Sequence, residues 1–175
     1  MLAVTETALP GIGLSIPQVV ERGAEPYLAI RTGGAMRDLP QFAPPLQPKL
    51  HGWMADRKIK PGLTLFRYRG FGSDGSVELD VGATTAQAET GSDEVIAGEL
   101  PAGRYAAATY TGPYDRLYDA FCMLNGWINA RGLTPDAQSG PDGFRPACQV
   151  EIYRVGPMET NDPTTFETDI VIKLA

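Results

Sequence analysis

One carboxylate in this chain lies in a setting that could do chemistry. In Gln149-Val150-Glu151-Ile152-Tyr153, strand alternation puts Val150 and Ile152 on one face and Glu151 and Tyr153 on the other. Val150 and Ile152 suit a side covered by helices, so Glu151 and Tyr153 are expected to face the opposite way. Phe66-Arg67-Tyr68-Arg69 aligns with Glu151-Ile152-Tyr153-Arg154, which gives Phe66 and Tyr68 corresponding positions. If the two strands approach, a glutamate sits among aromatic rings. Rings attract a flat, apolar cation by stacking and cation–π forces, and the carboxylate supplies the counter-charge. A solvent-facing glutamate beside a half-buried tyrosine fits the same alternation, and periodicity alone does not separate the two.

Other residue types add candidates. Tyr105, Tyr110, Tyr114 and Tyr118 gather around the start of one helical segment. Buried tyrosines usually belong to a core with the hydroxyl satisfied. Tyr105 and Tyr110 are nonetheless carried here as candidate pocket residues. Trp53 and Trp127 join apolar helix stripes, where core packing competes with a place in a pocket wall. The sole histidine, His51, has no nucleophile set up beside it. A zinc site needs several His or Cys ligands, so neither metal nor cofactor is expected. Cys122 and Cys148 lack a metal or redox spacing and read as two reduced core thiols of a cytoplasmic protein. Gly11-Ile12-Gly13 opens no helix and lacks the third glycine of a dinucleotide loop.

The elements that must position these residues come in two sets. Gly52-Trp53, Arg57 and Pro61 recur in register as Gly126-Trp127, Arg131 and Pro135, and these are the only tryptophans. Such a repeat points to a duplicated unit, with a first copy over 17–83 and a second over 94–175 of a single 1–175 domain. Further matches are Tyr27 with Tyr105, Thr32-Gly33 with Thr111-Gly112, and Glu78-Leu79-Asp80-Val81 with Glu167-Thr168-Asp169-Ile170. Strands are expected over 19–22, 27–31, 63–69 and 76–82, then 94–100, 104–110, 147–155 and 166–174. Leu46, Leu50 and Trp53 mark one helix; Leu117, Phe121, Leu124 and Ile128 mark the other. Residues 1–15 read as an irregular arm, 83–92 as a linker and 135–146 as a Gly/Pro loop. Each copy is thus β-β-α-β-β. The fold class is α+β, a pseudo-twofold antiparallel sheet with both helices on one face. A ligand is left the other face or the groove between halves.

Composition excludes several classes. A hydrophobic fraction of 43% supports a real core. With a net charge of −6 and no basic stripe, direct nucleic-acid binding is not expected. No apolar run reaches the ~18 residues of a membrane span. The start of the chain, with Glu6 and Pro10, lacks the pattern of a signal peptide.

The second half then resembles a known family. Leu100-Pro101-Ala102-Gly103-Arg104-Tyr105, Tyr110-Thr111-Gly112-Pro113-Tyr114, Trp127, Glu151-Ile152-Tyr153 and Thr168-Asp169-Ile170 follow the order of the GyrI-like (gyrase-inhibitor-like) small-molecule-binding domain. This is also the effector-binding module of AraC- and MerR-type multidrug regulators. Tyr110 stands where that family often has histidine. The resemblance implies a tandem β-α-β-β fold with a central aromatic cavity. Its glutamate, here Glu151, would recognise lipophilic cations. No DNA-binding domain flanks the module in this sequence, which argues for a stand-alone binder. The resemblance also implies two alternatives: a hydrolase opening cyclopropane-type alkylating compounds with Glu151 as the catalytic residue, and a module that binds a protein partner such as gyrase.

Overall fold

The β-branched and aromatic runs of the sequence become strands of one antiparallel sheet, and the leucine-spaced segments become helices. The computed structural model describes residues 13–175. The N-terminal arm expected over 1–15 therefore lies mostly outside the described residues. Within it, Gly13–Leu14 form β1 on the sheet edge. The first half continues with β2 (Gln18–Arg22), β3 (Glu25–Ala35), α1 (Leu39–Phe42), α2 (Leu46–Asp56), β4 (Thr64–Gly72) and β5 (Ser76–Thr84). The second half contains β6 (Val95–Leu100), β7 (Gly103–Thr111), α3 (Leu117–Ala130), β8 (Ala137–Gly140), β9 (Gly143–Pro146), β10 (Gln149–Val155) and β11 (Glu167–Lys173).

The sheet runs β1-β7-β11-β10-β4-β5-β3-β6, with β2 also on β7 and the β8–β9 hairpin joined to β4. Its centre is the β4–β10 pair, where Phe66 lies opposite Glu151. One row of cross-strand partners crosses the molecule there: Ile30, Val81, Phe66, Glu151, Ile170 and Ala108. Partners in one row share a face. Ile30 packs with Leu50 and Met54 of α2, and Ala108 and Ile170 pack with Phe121, Leu124 and Ile128 of α3. Both long helices therefore cover the face that carries Glu151.

This reverses one expectation. Val150 and Ile152 lie on the face away from the helices, packed with Tyr27, Leu65, Leu100, Tyr105 and Val171. Alternation separated the two sets of side chains correctly. It could not say which set meets the helices, because the curled sheet buries apolar residues on both faces. The segment 135–146, expected as a loop, is instead largely the β8–β9 hairpin. Its short runs were hidden by flanking Gly and Pro.

The two halves exchange strands. β2 pairs with β7 so that Val20 lies opposite Tyr105, and β6 pairs with β3 so that Gly98 lies opposite Tyr27. Both central strands carry a bulge in the same place, after Tyr68 in β4 and after Tyr153 in β10. Thr32 lies opposite Leu79 of β5, and Tyr110 lies opposite Thr168 of β11.

The recurring tryptophan motif is a helix stop. Arg57 and Arg131 cap α2 and α3. The next residues, Lys58 and Gly132, take φ of 58° and 67°. The N–H groups of Ile59 and Leu133 then return to the carbonyls of Met54 and Ile128 at 2.9 and 3.0 Å. That is a Schellman closure, with its apolar partner packed against the helix. Each arginine also lies over the tryptophan one turn earlier, 3.8 Å from the Trp53 ring centroid and 5.6 Å from that of Trp127.

Candidate functional site

Glu151 is buried, with 5% of its surface exposed. Its Oε1 accepts a hydrogen bond from the Tyr68 hydroxyl at 2.9 Å, and its Oε2 accepts one from the Tyr153 hydroxyl. β4 and β10 bring these groups together. Phe66 lies directly opposite Glu151, and its ring meets that of Tyr153 edge-on at 5.3 Å. Tyr68 stacks on Phe71 at 5.3 Å and meets Phe121 of α3 edge-on at 6.2 Å. Tyr114, in the short 3-10 turn that leads into α3, stands edge-on to Tyr153 at 5.4 Å and 4.9 Å from Phe166. A single carboxylate is thus enclosed by aromatic rings from both halves.

Burial holds the Glu151 carboxyl above its ordinary value, against the opposing pull of the hydrogen bonds from Tyr153 and Tyr68. Burial also raises the phenols of Tyr68 and Tyr153, and the adjacent carboxylate adds to the effect. Tyr114 is pushed up to about 12 by burial and by the Glu159 and Glu151 carboxylates. All three phenols therefore remain proton donors at neutral pH. Among the described residues, no Lys, Arg or His forms an ion pair with Glu151.

Of the residues singled out by sequence, Glu151, Tyr153, Tyr68 and Phe66 come together. Tyr110 lies beside them under α3, but its hydroxyl donates to the Pro113 carbonyl at 3.0 Å. Tyr105 is on the opposite face of the sheet, where its hydroxyl donates to the Pro101 carbonyl. A residue two positions along a strand shares a face, whereas Tyr105 and Tyr110 are five apart. Trp53 and Trp127 sit at the helix ends and pack against the separate α2 and α3 clusters. They are not among the rings packed around Glu151.

The sequence reading missed Phe71, Phe121, Phe166 and Thr168 as members of this site, and it named Tyr114 in a tyrosine cluster and in the family motif without giving it a place in the pocket. Phe121 was visible as part of the α3 stripe but gave no sign that its edge would reach Tyr68. Thr168 lies opposite both Tyr153 and Tyr110. It is fully buried, and its hydroxyl has no hydrogen-bond partner among the described residues. Chemically, the arrangement can neutralise one buried positive charge, stack flat rings and offer phenol or hydroxyl donors. No group of His, Cys, Asp or Glu suited to a metal ion occurs among the described residues.

Solved structures share this architecture. The C-terminal domain of EcmrR superposes with a TM-score of 0.63 at 16% identity, covering 91% of this chain and 97% of that one. In an EcmrR–DNA complex the match has a TM-score of 0.64 at 15% identity over 92% of this chain, but this chain spans only 57% of that one. The structure of SAV2435 bound to tetraphenylphosphonium matches with a TM-score of 0.60 at 10% identity, over 92% of this chain and 94% of that one. A hydrolase from Listeria innocua matches with a TM-score of 0.52 at 10% identity, over 91% of each chain. Identities this low speak for the fold alone. A comparison with curated proteins finds no match. No helix among the described residues is long and apolar enough to cross a membrane. The GyrI-like small-molecule-binding domain model matches residues 17–175, and the chain belongs to that family.

Proposed function

We propose that this protein binds lipophilic, flat or aromatic cations at Glu151, in the aromatic cluster where its two halves meet. The observation that carries the reading is a contrast between buried carboxylates. Asp80, fully buried, accepts from Arg31 at 2.7 Å and has Arg69 at 3.9 Å. Glu151 is given two phenols and no cation among the described residues. A buried charge without a partner is costly, and a cationic ligand is the partner that this site lacks. The matching strand order, register and bulges support an internally duplicated domain with a pseudo-twofold axis through the Phe66–Glu151 pair. They favour copies over about 17–83 and 94–175.

Tyr153 and Tyr114 form the entrance. Tyr153 is half-buried, and Tyr114 is 37% exposed. With the rings packed as they are, a ligand enters only when Tyr153 swings aside and frees Oε2. Isothermal titration with tetraphenylphosphonium, and with the neutral triphenylphosphine oxide, tests the reading. Losing a buried charge-assisted contact costs about 2–5 kcal/mol. Glu151→Gln is therefore expected to weaken the cation by that amount and the neutral compound far less. Equal losses for both compounds would place Glu151 outside the ligand's reach.

A second reading, hydrolysis of cyclopropane-bearing alkylators, is favoured by the Tyr153–Glu151 contact. A carboxylate raised by burial can act as a base toward water, and an adjacent phenol can donate to the leaving atom. Consumption of such a compound faster than in buffer, abolished in Glu151→Gln, would support it. Stoichiometric cation binding without any turnover would leave the binding function alone.

A further inference from the structure

On the face of the sheet away from the helices, positive charge gathers where β3, β4 and β5 meet the β8–β9 hairpin. Asp80 accepts from Arg31 at 2.7 and 3.3 Å and from the Tyr27 hydroxyl at 2.7 Å. Arg69 approaches it to 3.9 Å and has no hydrogen-bond acceptor among the described residues. Arg67 lies opposite Asp80 in register. It is buried and donates only to neutral groups: the Tyr27 hydroxyl and the carbonyls of Glu99 and Ala147. Its Nε–H has no acceptor among the described residues. Three guanidinium groups thus face one carboxylate.

The acids that flank this cluster are already matched. Glu78 pairs with Arg145 at 3.4 Å, and Asp136 pairs with Lys173 at 2.8 Å. Between these groups opens a cleft of about 440 Å³, whose lining includes Arg31, Arg69, Arg145 and Gln138. The side chains of Arg31 and Arg69 are 43% and 34% exposed, so both reach solvent there. Arg69 is the extra residue of the β4 bulge, a feature that re-aims side chains. Gly70 leaves room for Arg145, since a Cβ there would lie 3.3 Å from its Nη1.

The second half supplies an internal comparison. At the corresponding bulge Arg154 lies 3.5 Å from Asp169, and the Thr109 hydroxyl donates to Asp169 at 2.7 Å. Ile152 takes the place of Arg67. One cation faces one carboxylate there, so the sheet does not require the surplus found around Asp80.

We propose that this cleft is a second ligand site, separate from Glu151, for a compact doubly charged oxyanion: a phosphate, free or as a monoester. Guanidinium groups recognise such groups by paired N–H donors. Arg69 and Arg145 grip the anion, and Arg31 forms the wall beside it. The surplus of two positive charges matches the charge of the ligand, in a chain whose net charge is −6.

The full chain is titrated calorimetrically with inorganic phosphate and with phenyl phosphate, against sodium chloride of equal ionic strength. Saturable binding is expected, weakened at least tenfold by Arg69→Gln and by Arg145→Gln, tightened by Glu78→Gln and unchanged by Glu151→Gln. Tighter binding of phenyl phosphate identifies a phosphorylated compound, and tighter binding of phosphate identifies the free anion. The Arg145 side chain is 68% exposed, so that variant keeps the fold, which unchanged thermal unfolding verifies. Binding no stronger than chloride overturns the proposal. So does phosphate binding that survives both arginine substitutions, since it marks an adventitious ion only.

Discussion

Glu151 and Asp80 are both buried carboxylates, and the chain treats them oppositely. Asp80 is tied by arginines; among the described residues, Glu151 is solvated only by phenols. Its carboxyl is raised above its ordinary value of 4.5. The stabilisation linked to that shift is complete below 4.5 and is lost as the pH rises through the raised value. Urea unfolding of the ligand-free protein from pH 4 to 8 should show this fall, and Glu151→Gln should remove that component. Cation binding runs the other way, tightening as the same group ionises. Tyr68→Phe deletes one donor to the carboxylate, a contact worth about 1.5–3 kcal/mol to a charged acceptor. It should carry the stability loss on to a higher pH and deepen it, while the start near 4.5 stays in place, read from the same unfolding series. An unchanged profile in Tyr68→Phe would mean that the phenol does not solvate the charge.

At the scale of elements, the tryptophan repeat acts through helix termination. Lys58 adopts the left-handed conformation that Gly132 occupies without a side-chain penalty. Lys58→Gly should therefore be neutral or stabilising by up to about 1 kcal/mol, while Gly132→Ala should cost about 1 kcal/mol. Chemical denaturation of both variants measures the difference. Gly126, by contrast, lies inside α3, and a Cβ added there would meet nothing within 4 Å. Gly126→Ala should stabilise the helix by about 0.8–1 kcal/mol. A loss instead would point to a use for that glycine beyond the fold of the isolated chain.

For the whole molecule, strand exchange makes the halves dependent on one another. Among the described residues, β2 is paired only through β7 and β6 through β3, while β10 has β4 as one of its two neighbours. A fragment of residues 94–175 would expose unpaired edges of β7 and β10 and strip Tyr27, Ala29 and Leu65 from Val150 and Ile152. It should show no cooperative thermal transition by circular dichroism, whereas the full chain should unfold in one step. An independently folding fragment would argue against a single domain.

Much of this arrangement was legible in the residues themselves. Alternation in Val150-Glu151-Ile152-Tyr153 put Glu151 and Tyr153 on one face, and the matched Phe66-Arg67-Tyr68 put two further rings at corresponding positions. The Leu117-to-Ile128 stripe placed α3, and the tryptophan repeat marked two helix ends that close in the same way. These signals are local: they depend on which side chains follow one another along a strand or helix. Tertiary structure decided which sheet face the helices cover, so Glu151 lies beneath them and Tyr105 lies on the far side. It also brought in Phe71, Phe121, Phe166 and Thr168, and drew three arginines from β3 and β4 around Asp80. Those neighbours are set by cross-strand register, sheet curvature and bulges, which arise from long-range pairing and leave no fixed spacing along the chain.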